Sequence, residues 1–201
     1  ERNVPMRVYA TFMASRPFQA VLVTHFCYNW GFYVVMSWIP TYFTSKFGVD
    51  ITQSGVASVM PYICAFVISN IGGGVADYFL AKGFKIITIR KMMNSIGMIT
   101  PAVCFYFLST LGDCRATEVP CHDFYVAVFL LSFGISISTF VYCGYWSNYT
   151  DLSPQYSSHL LGISNSIATI PGIAGNLITG WILESHHDDW QLVFLLVCAI
   201  Q

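Results

Sequence analysis

The chain has 201 residues, 55% of them hydrophobic and 9% charged, with a mean hydropathy of +0.60. Soluble domains carry roughly a quarter charged residues, so this composition excludes a water-soluble globule and fits a chain that crosses a bilayer. The net charge of −1 says nothing about partners, because in such a chain the placement of the charges matters; no nucleic-acid partner is expected.

Residues 1–16 are mixed and charged, without the pattern of a signal peptide. A first span is predicted from Pro17 to Phe43, with Pro40 near its far end, where neighbouring helices and water can satisfy the freed carbonyl. Thr44 to Thr52 is a polar connection. A second span runs from Gln53 to Leu80 and holds Pro61 and Gly72, Gly73 and Gly74. Lys82, Lys85, Arg90 and Lys91 form a basic turn before a third span, Met92 to Leu111, that contains Pro101. Residues 112–123 read as a loop. The fourth span is Phe124 to Asn148, residues 150–158 are a turn, and the fifth span is His159 to Leu183. After Glu184–Asp189 a sixth apolar run begins. It is about half the roughly 20 residues that a spanning helix needs. The opening without Met and this cut-off run lead to the expectation that the sequence is a fragment.

Charge tests the layout. With residues 1–16, 81–91 and 149–158 on the cytoplasmic side, Arg2, Arg7, Arg16, Lys82, Lys85, Arg90 and Lys91 lie inside, leaving only Lys46 and Arg115 outside. That is the asymmetry by which basic residues are retained in the cytoplasm. The spans are too long and lack the alternation of barrel strands, so the predicted fold class is all-α, a polytopic membrane helical bundle. Small residues, Ser69, Gly73 and Ala76, then Gly134, Ser136 and Ser138, then Gly172, Gly175 and Gly180, mark close helix contacts.

Cys27, Cys64, Cys104, Cys143 and Cys198 fall within spans as small apolar fillers. Cys114 and Cys121 share the non-cytoplasmic loop, where an oxidising environment lets them pair, and their spacing does not suit paired zinc ligands. No metal is expected. Nor is an enzyme: the run Gly162-Ile163-Ser164-Asn165-Ser166 fails the nucleophile-elbow pattern, and no zinc-protease or phosphate-loop motif occurs.

Gly73-Gly74-Val75-Ala76-Asp77, followed by Lys82, Lys85, Arg90 and Lys91, resembles the loop motif of the major facilitator superfamily, without the Arg that directly follows the Asp there. Residues 25–43, 89–102, 151–172 and 190–194, in that order, resemble its anion:cation symporter branch, which includes sialin, vesicular glutamate transporters, sodium-phosphate cotransporters and plastid phosphate transporters. The resemblance covers nearly the whole chain. It implies the C-terminal six-helix half, helices seven to eleven and the start of twelve with that last helix truncated, and an N-terminal half absent from residues 1–201. It also implies a secondary active transporter for small organic or inorganic anions, coupled to H+ or Na+ by alternating access and needing no cofactor.

Such transporters place the substrate near the midplane. The polar residues inside the spans are therefore the expected lining: Tyr28, Asn29 and Tyr33 from the first, Ser164 and Asn165 from the fifth. His25 and Asp77 are the candidate proton carriers within spans, with His159 at the entry to the fifth; a single histidine is more commonly a packed one, and the sequence assigns the proton site to none of them. No Lys or Arg stands in the middle of a predicted span, so the resemblance implies that the missing half supplies the counter-charge. Vesicular glutamate transporters carry an Arg at the position of Tyr28, which moves the expectation toward sialin or the phosphate carriers. Gly73, Asp77 and Arg90 are the expected gating residues, Asp77 needing a partner because its own helix dipole disfavours a carboxylate at that end. The competing readings are a transporter of a neutral solute such as a sugar, and a non-transporting receptor.

Overall fold

The computed structural model describes residues 6–114, 120–186 and 188–201, and among these every regular element is helical. The chain runs through α1 (Met6–Ala14), α2 (Arg16–Phe47), α3 (Ile51–Ala81), α4 (Ile86–Ser109), α5 (His122–Ser138), a 3-10 turn (Thr139–Tyr142), α6 (Tyr145–Leu152), α7 (Ser157–Ala168), α8 (Ile170–Ser185) and α9 (Trp190–Ile200). Four stretches are long and apolar enough to cross a membrane: Ile51–Ala81, Ile86–Ser109, His122–Leu152 and Ser157–Ser185. α2, with 32 residues, is about 48 Å long and exceeds the hydrocarbon thickness, but it is the more polar helix and turns His25 and Asn29 into the bundle. The chain is a multi-pass membrane protein.

Local chemistry sets the helix ends. Pro17 stands in the first turn of α2, where no N–H partner is needed, and Gly48 closes the helix in the left-handed region at φ 67, its N–H bonded to the Thr44 carbonyl. Asp50 caps α3 by accepting from the Gln53 N–H at 2.7 Å, and Asp189 caps α9 through the Leu192 N–H at 3.0 Å. Gly83, at φ 84, turns the chain between α3 and α4. Several boundaries differ from the sequence reading: Met6–Ala14 is a helix, α2 continues through Thr44–Phe47, α4 begins at Ile86, α5 begins at His122, and α6 and α7 reach into the turn expected at 150–158. Arg90 and Lys91 consequently sit on a helix rather than in the turn.

Two spans are interrupted. Between α5 and α6 the hydroxyls of Ser136, Ser138 and Thr139 bond back to the carbonyls of Ser132, Ile135 and Ser136. Such bonds compete with the helical ladder, and the backbone tightens to a 3-10 turn before re-forming at Tyr145. Between α7 and α8 the break falls at Thr169, two residues before Pro171.

α2 lies at the centre, against α8, α7, α3, α9 and α6; α5 joins α3 to α4, and α4 also packs on α9. Gly172, Gly175 and Gly180 form a seam on α8 against Tyr33, Val34 with Trp30, and Trp38 of α2. Gly134 lies on Cys104 and Pro101. On α3, Gly72 is the close-packed glycine, against Phe140, while a Cβ at Gly73 would meet nothing. The first-span proline is tied in as well: the Pro40 carbonyl accepts from buried Ser54 of α3 at 2.9 Å.

The bundle is packed with aromatic and aliphatic side chains inside and is apolar outside. An aromatic cluster of Tyr42, Phe43, Phe47, Phe124, Trp190 and Phe194 fills one end. Phe18, Tyr28, Val141, Tyr145, Tyr149 and Leu160 fill the other. Outward stand Phe66 (74% exposed), Leu177 (69%) and Phe129 (64%), surfaces suited to lipid rather than water. α3 is the least covered helix, with 17% of its most apolar stretch buried.

Candidate functional site

The five residues expected to line a substrate path do not meet in one pocket. Tyr28, 6% exposed, borders a cavity of about 20 Å³ together with Tyr62, Ser138 and Gln201, room for one water. Asn29 is used structurally: its Nδ2 donates to the Ala168 carbonyl at 2.8 Å, satisfying an acceptor at the α7–α8 break. Tyr33 lies half-buried with its ring against Gly172. Ser164 is fully buried, whereas the adjacent Asn165 is exposed on the opposite side of α7, its carbonyl accepting from Thr169.

Ser164 belongs to a knot of three side chains from three helices. The Tyr149 hydroxyl donates to Ser164 Oγ at 2.5 Å, and His25 Nδ1 lies 2.8 Å from Ser164 Oγ and 3.1 Å from the Tyr149 oxygen. All three residues are at most 3% exposed. The participation of Tyr149 was not foreseen; its pairing with His25 bridges 124 positions of sequence, and periodicity carries no signal for that. A second unforeseen group is Asn176, which accepts from Trp38 Nε1 at 2.9 Å and donates to the Gly172 carbonyl.

At the basic end, Arg90 is held by α6 rather than by α3. Its Nε donates to Asp151 Oδ2 at 2.7 Å and one terminal nitrogen donates to the Cys143 carbonyl at 2.8 Å. Asp77 is exposed. The hint in the sequence was an acidic residue, Asp151, on the same side as the basic cluster. A cleft of about 330 Å³ lined by Thr24, Arg90, Lys91, Asn94 and Asn148 opens on one side of this pair. A wider one of about 560 Å³, lined by Arg90, Ser147, Tyr149, Thr150, Asp151 and Ser157, opens on the other.

At the far end the sulfurs of Cys114 and Cys121 are bonded, with Cα atoms 6.2 Å apart. The Cys114 N–H also reaches the Lys46 carbonyl at 3.2 Å, fastening this loop to the last turn of α2. Closing a loop this short stabilises by about 2 kcal/mol through the unfolded chain. Reductant is therefore expected to lower the thermal midpoint of the wild type and to leave a C114S/C121S variant unchanged, as read by thermal unfolding in detergent.

No protein-family model matches the chain. Among known proteins it is 33% identical over 188 residues to an ascorbate transporter, chloroplastic, of Arabidopsis thaliana, covering 94% of this chain and 32% of the relative. It is 32% identical over 195 residues to sodium-dependent phosphate transport protein 1, chloroplastic, of the same plant, covering 97% and 35%. With human sialin it shares 33% identity over 202 residues, covering 100% and 38%. Along nearly its whole length the chain is similar to sialin and to plastid anion transporters. It spans about a third of the length of these relatives. The outward apolar faces of the helices agree with this likeness, and the two plastid relatives are named for transport.

Proposed function

We propose that the chain is the C-terminal half of a secondary active transporter that moves a small organic or inorganic anion, phosphate, a sialic acid-like sugar acid or another carboxylate, together with H+ or Na+ by alternating access. The observation that carries the reading is similarity along nearly the whole chain to proteins named for ascorbate, phosphate and other anions. Tyr28, Asn29, Tyr33, Ser164 and Asn165 are the proposed substrate contacts of this half, Tyr28 foremost because it already borders a cavity. Their hydroxyls and amides orient an anion without neutralising it, so the counter-charge comes from an N-terminal half. That half would cover the open face of α3, where Gly73 and Gly74 meet nothing. Asp77 and Arg90 then act at the basic end, where helices of the two halves part and close.

Full-length protein in liposomes, given labelled phosphate, sialic acid, ascorbate or glutamate under a pH gradient and then a sodium gradient, tests this. One anion is expected to accumulate under one gradient, and Tyr28→Ala is expected to cut its uptake by about tenfold, the worth of one lost hydrogen bond. Exclusion of every anion by folded protein under both gradients would sink the reading in favour of a neutral solute or a receptor.

A further inference from the structure

The knot of His25, Ser164 and Tyr149 does something no packing role requires: it runs from a buried ring to an aqueous cleft. Tyr149 is 3% exposed, yet it forms part of the lining of the 560 Å³ cleft beside Arg90 and Asp151. From there the hydrogen bonds lead inward, Tyr149 O–H to Ser164 Oγ at 2.5 Å and Ser164 to His25 Nδ1 at 2.8 Å. Since Tyr149 gives its hydrogen to Ser164, and His25 Nδ1 is the acceptor within reach of the Ser164 hydroxyl among the described contacts, the ring accepts at Nδ1 and carries its hydrogen on Nε2.

We propose that His25 is a proton-binding site of the transporter, loaded from the cleft at the basic end through Tyr149 and Ser164. The proposal rests on the transport reading above and names the residue that would take up the coupling proton. The relay balances. A hydronium in the cleft gives a proton to the Tyr149 oxygen as Tyr149 passes its own to Ser164 and Ser164 passes its own to Nδ1; three O–H or N–H bonds form, three break, and the ring gains one positive charge. Every bond then reverses: Nδ1–H donates to Ser164, Ser164 to Tyr149, and Tyr149 to cleft water. Nδ1, Ser164 Oγ and the Tyr149 oxygen keep one another as partners in either state, which is what a reversible proton relay needs.

The surroundings make the charge consequential. The groups facing the ring are Tyr145, Trp146 and Tyr149 of α6, at centroid distances of 5.3, 5.6 and 6.5 Å, and Ser164 of α7. None is charged, and the nearest ion pair, Arg90 with Asp151, lies toward the cleft. Among the described residues, no carboxylate stands against the ring to balance a protonated His25. An anion arriving beside Tyr28, three residues on along α2, would meet that charge.

Trp146, edge-on to the imidazole, is the built-in reporter, because a neighbouring imidazolium alters indole emission. In full-length protein, the fluorescence difference between wild type and Trp146→Phe is expected to show a single step when pH is scanned from about 3 to 8. His25→Gln should abolish the step. Should His25→Gln not fold, Tyr149→Phe carries the test: after a pH jump the Trp146 response should slow by about a hundredfold, the low end of what a positioned proton relay contributes. A step that survives His25→Gln, or a response as fast in Tyr149→Phe as in wild type, overturns the proposal. Sodium-driven anion uptake in protein that lacks the step would refute the proton site and leave the transport reading standing. A step in protein that moves no anion would do the reverse.

Discussion

Gly144→Ala and Gly97→Ala are each expected to cost about 3 kcal/mol of stability, at the upper end of what overpacking does. A Cβ on Gly144 would lie 2.8 Å from Asn94 Cβ and 2.9 Å from both Asn94 Cα and N; one on Gly97 would lie 2.7 Å from Val141 Cγ1, 2.9 Å from the Val141 nitrogen and 3.2 Å from the Ser138 carbonyl. The obstacle is main chain in both cases, so no rotamer change relieves it, and α4 must separate from the turn that links α5 to α6. Gly73→Ala is the control. It meets nothing and, in mid-helix, should be neutral or stabilising by up to about 1 kcal/mol. Thermal midpoints and the yield of monodisperse protein in detergent separate the three. Equal behaviour of Gly144→Ala and Gly73→Ala would contradict the close approach of α4.

The second large effect is at Arg90. Replacement by Ala strands the Asp151 carboxylate and the Cys143 carbonyl together, at a site where the two side chains are only 17% and 28% exposed. The expected loss is about 2 kcal/mol, above that of a surface pair because a carbonyl is also left bare and below that of a fully buried one. Asp151→Asn should lose about half as much, since the carbonyl keeps its donor. Exchanging the two charges should fail to rescue, because a carboxylate at position 90 would face the Cys143 carbonyl. A double-mutant cycle on unfolding measures the coupling directly, and a coupling near zero would show that the pair is ornamental.

Much of the architecture was legible. Apolar runs separated by the polar stretch Thr44–Thr52 and the basic turn after Leu80 gave the spans nearly as they are. The α8 glycines fell on one face because their spacing follows the helical period, and that face meets α2. The break before α6 was signalled less openly, by Ser136, Ser138 and Thr139 in a row of competitors for the ladder. Side-chain destinations were harder to read. A polar residue in a span can face a cavity, a broken helix or another polar residue, and one-dimensional pattern does not distinguish these: Tyr28 took the first course, Asn29 the second and Ser164 the third. The Arg90 partner was equally hidden, 61 positions away.

The polarity of α2 bears on how the protein is made. Its buried His25 and Asn29 find Ser164 and the Ala168 carbonyl 139 positions later in the chain. At translation rates of about 5–20 residues per second, those partners emerge roughly 7 to 28 s after α2 itself. For that interval the partners of His25 and Asn29 within residues 1–201 are not yet made, in a medium that penalises each unmatched polar group. α2 cannot be settled in lipid as early as the more apolar α3, so within these residues the order of synthesis and the order of membrane entry come apart, and α2 waits for α7.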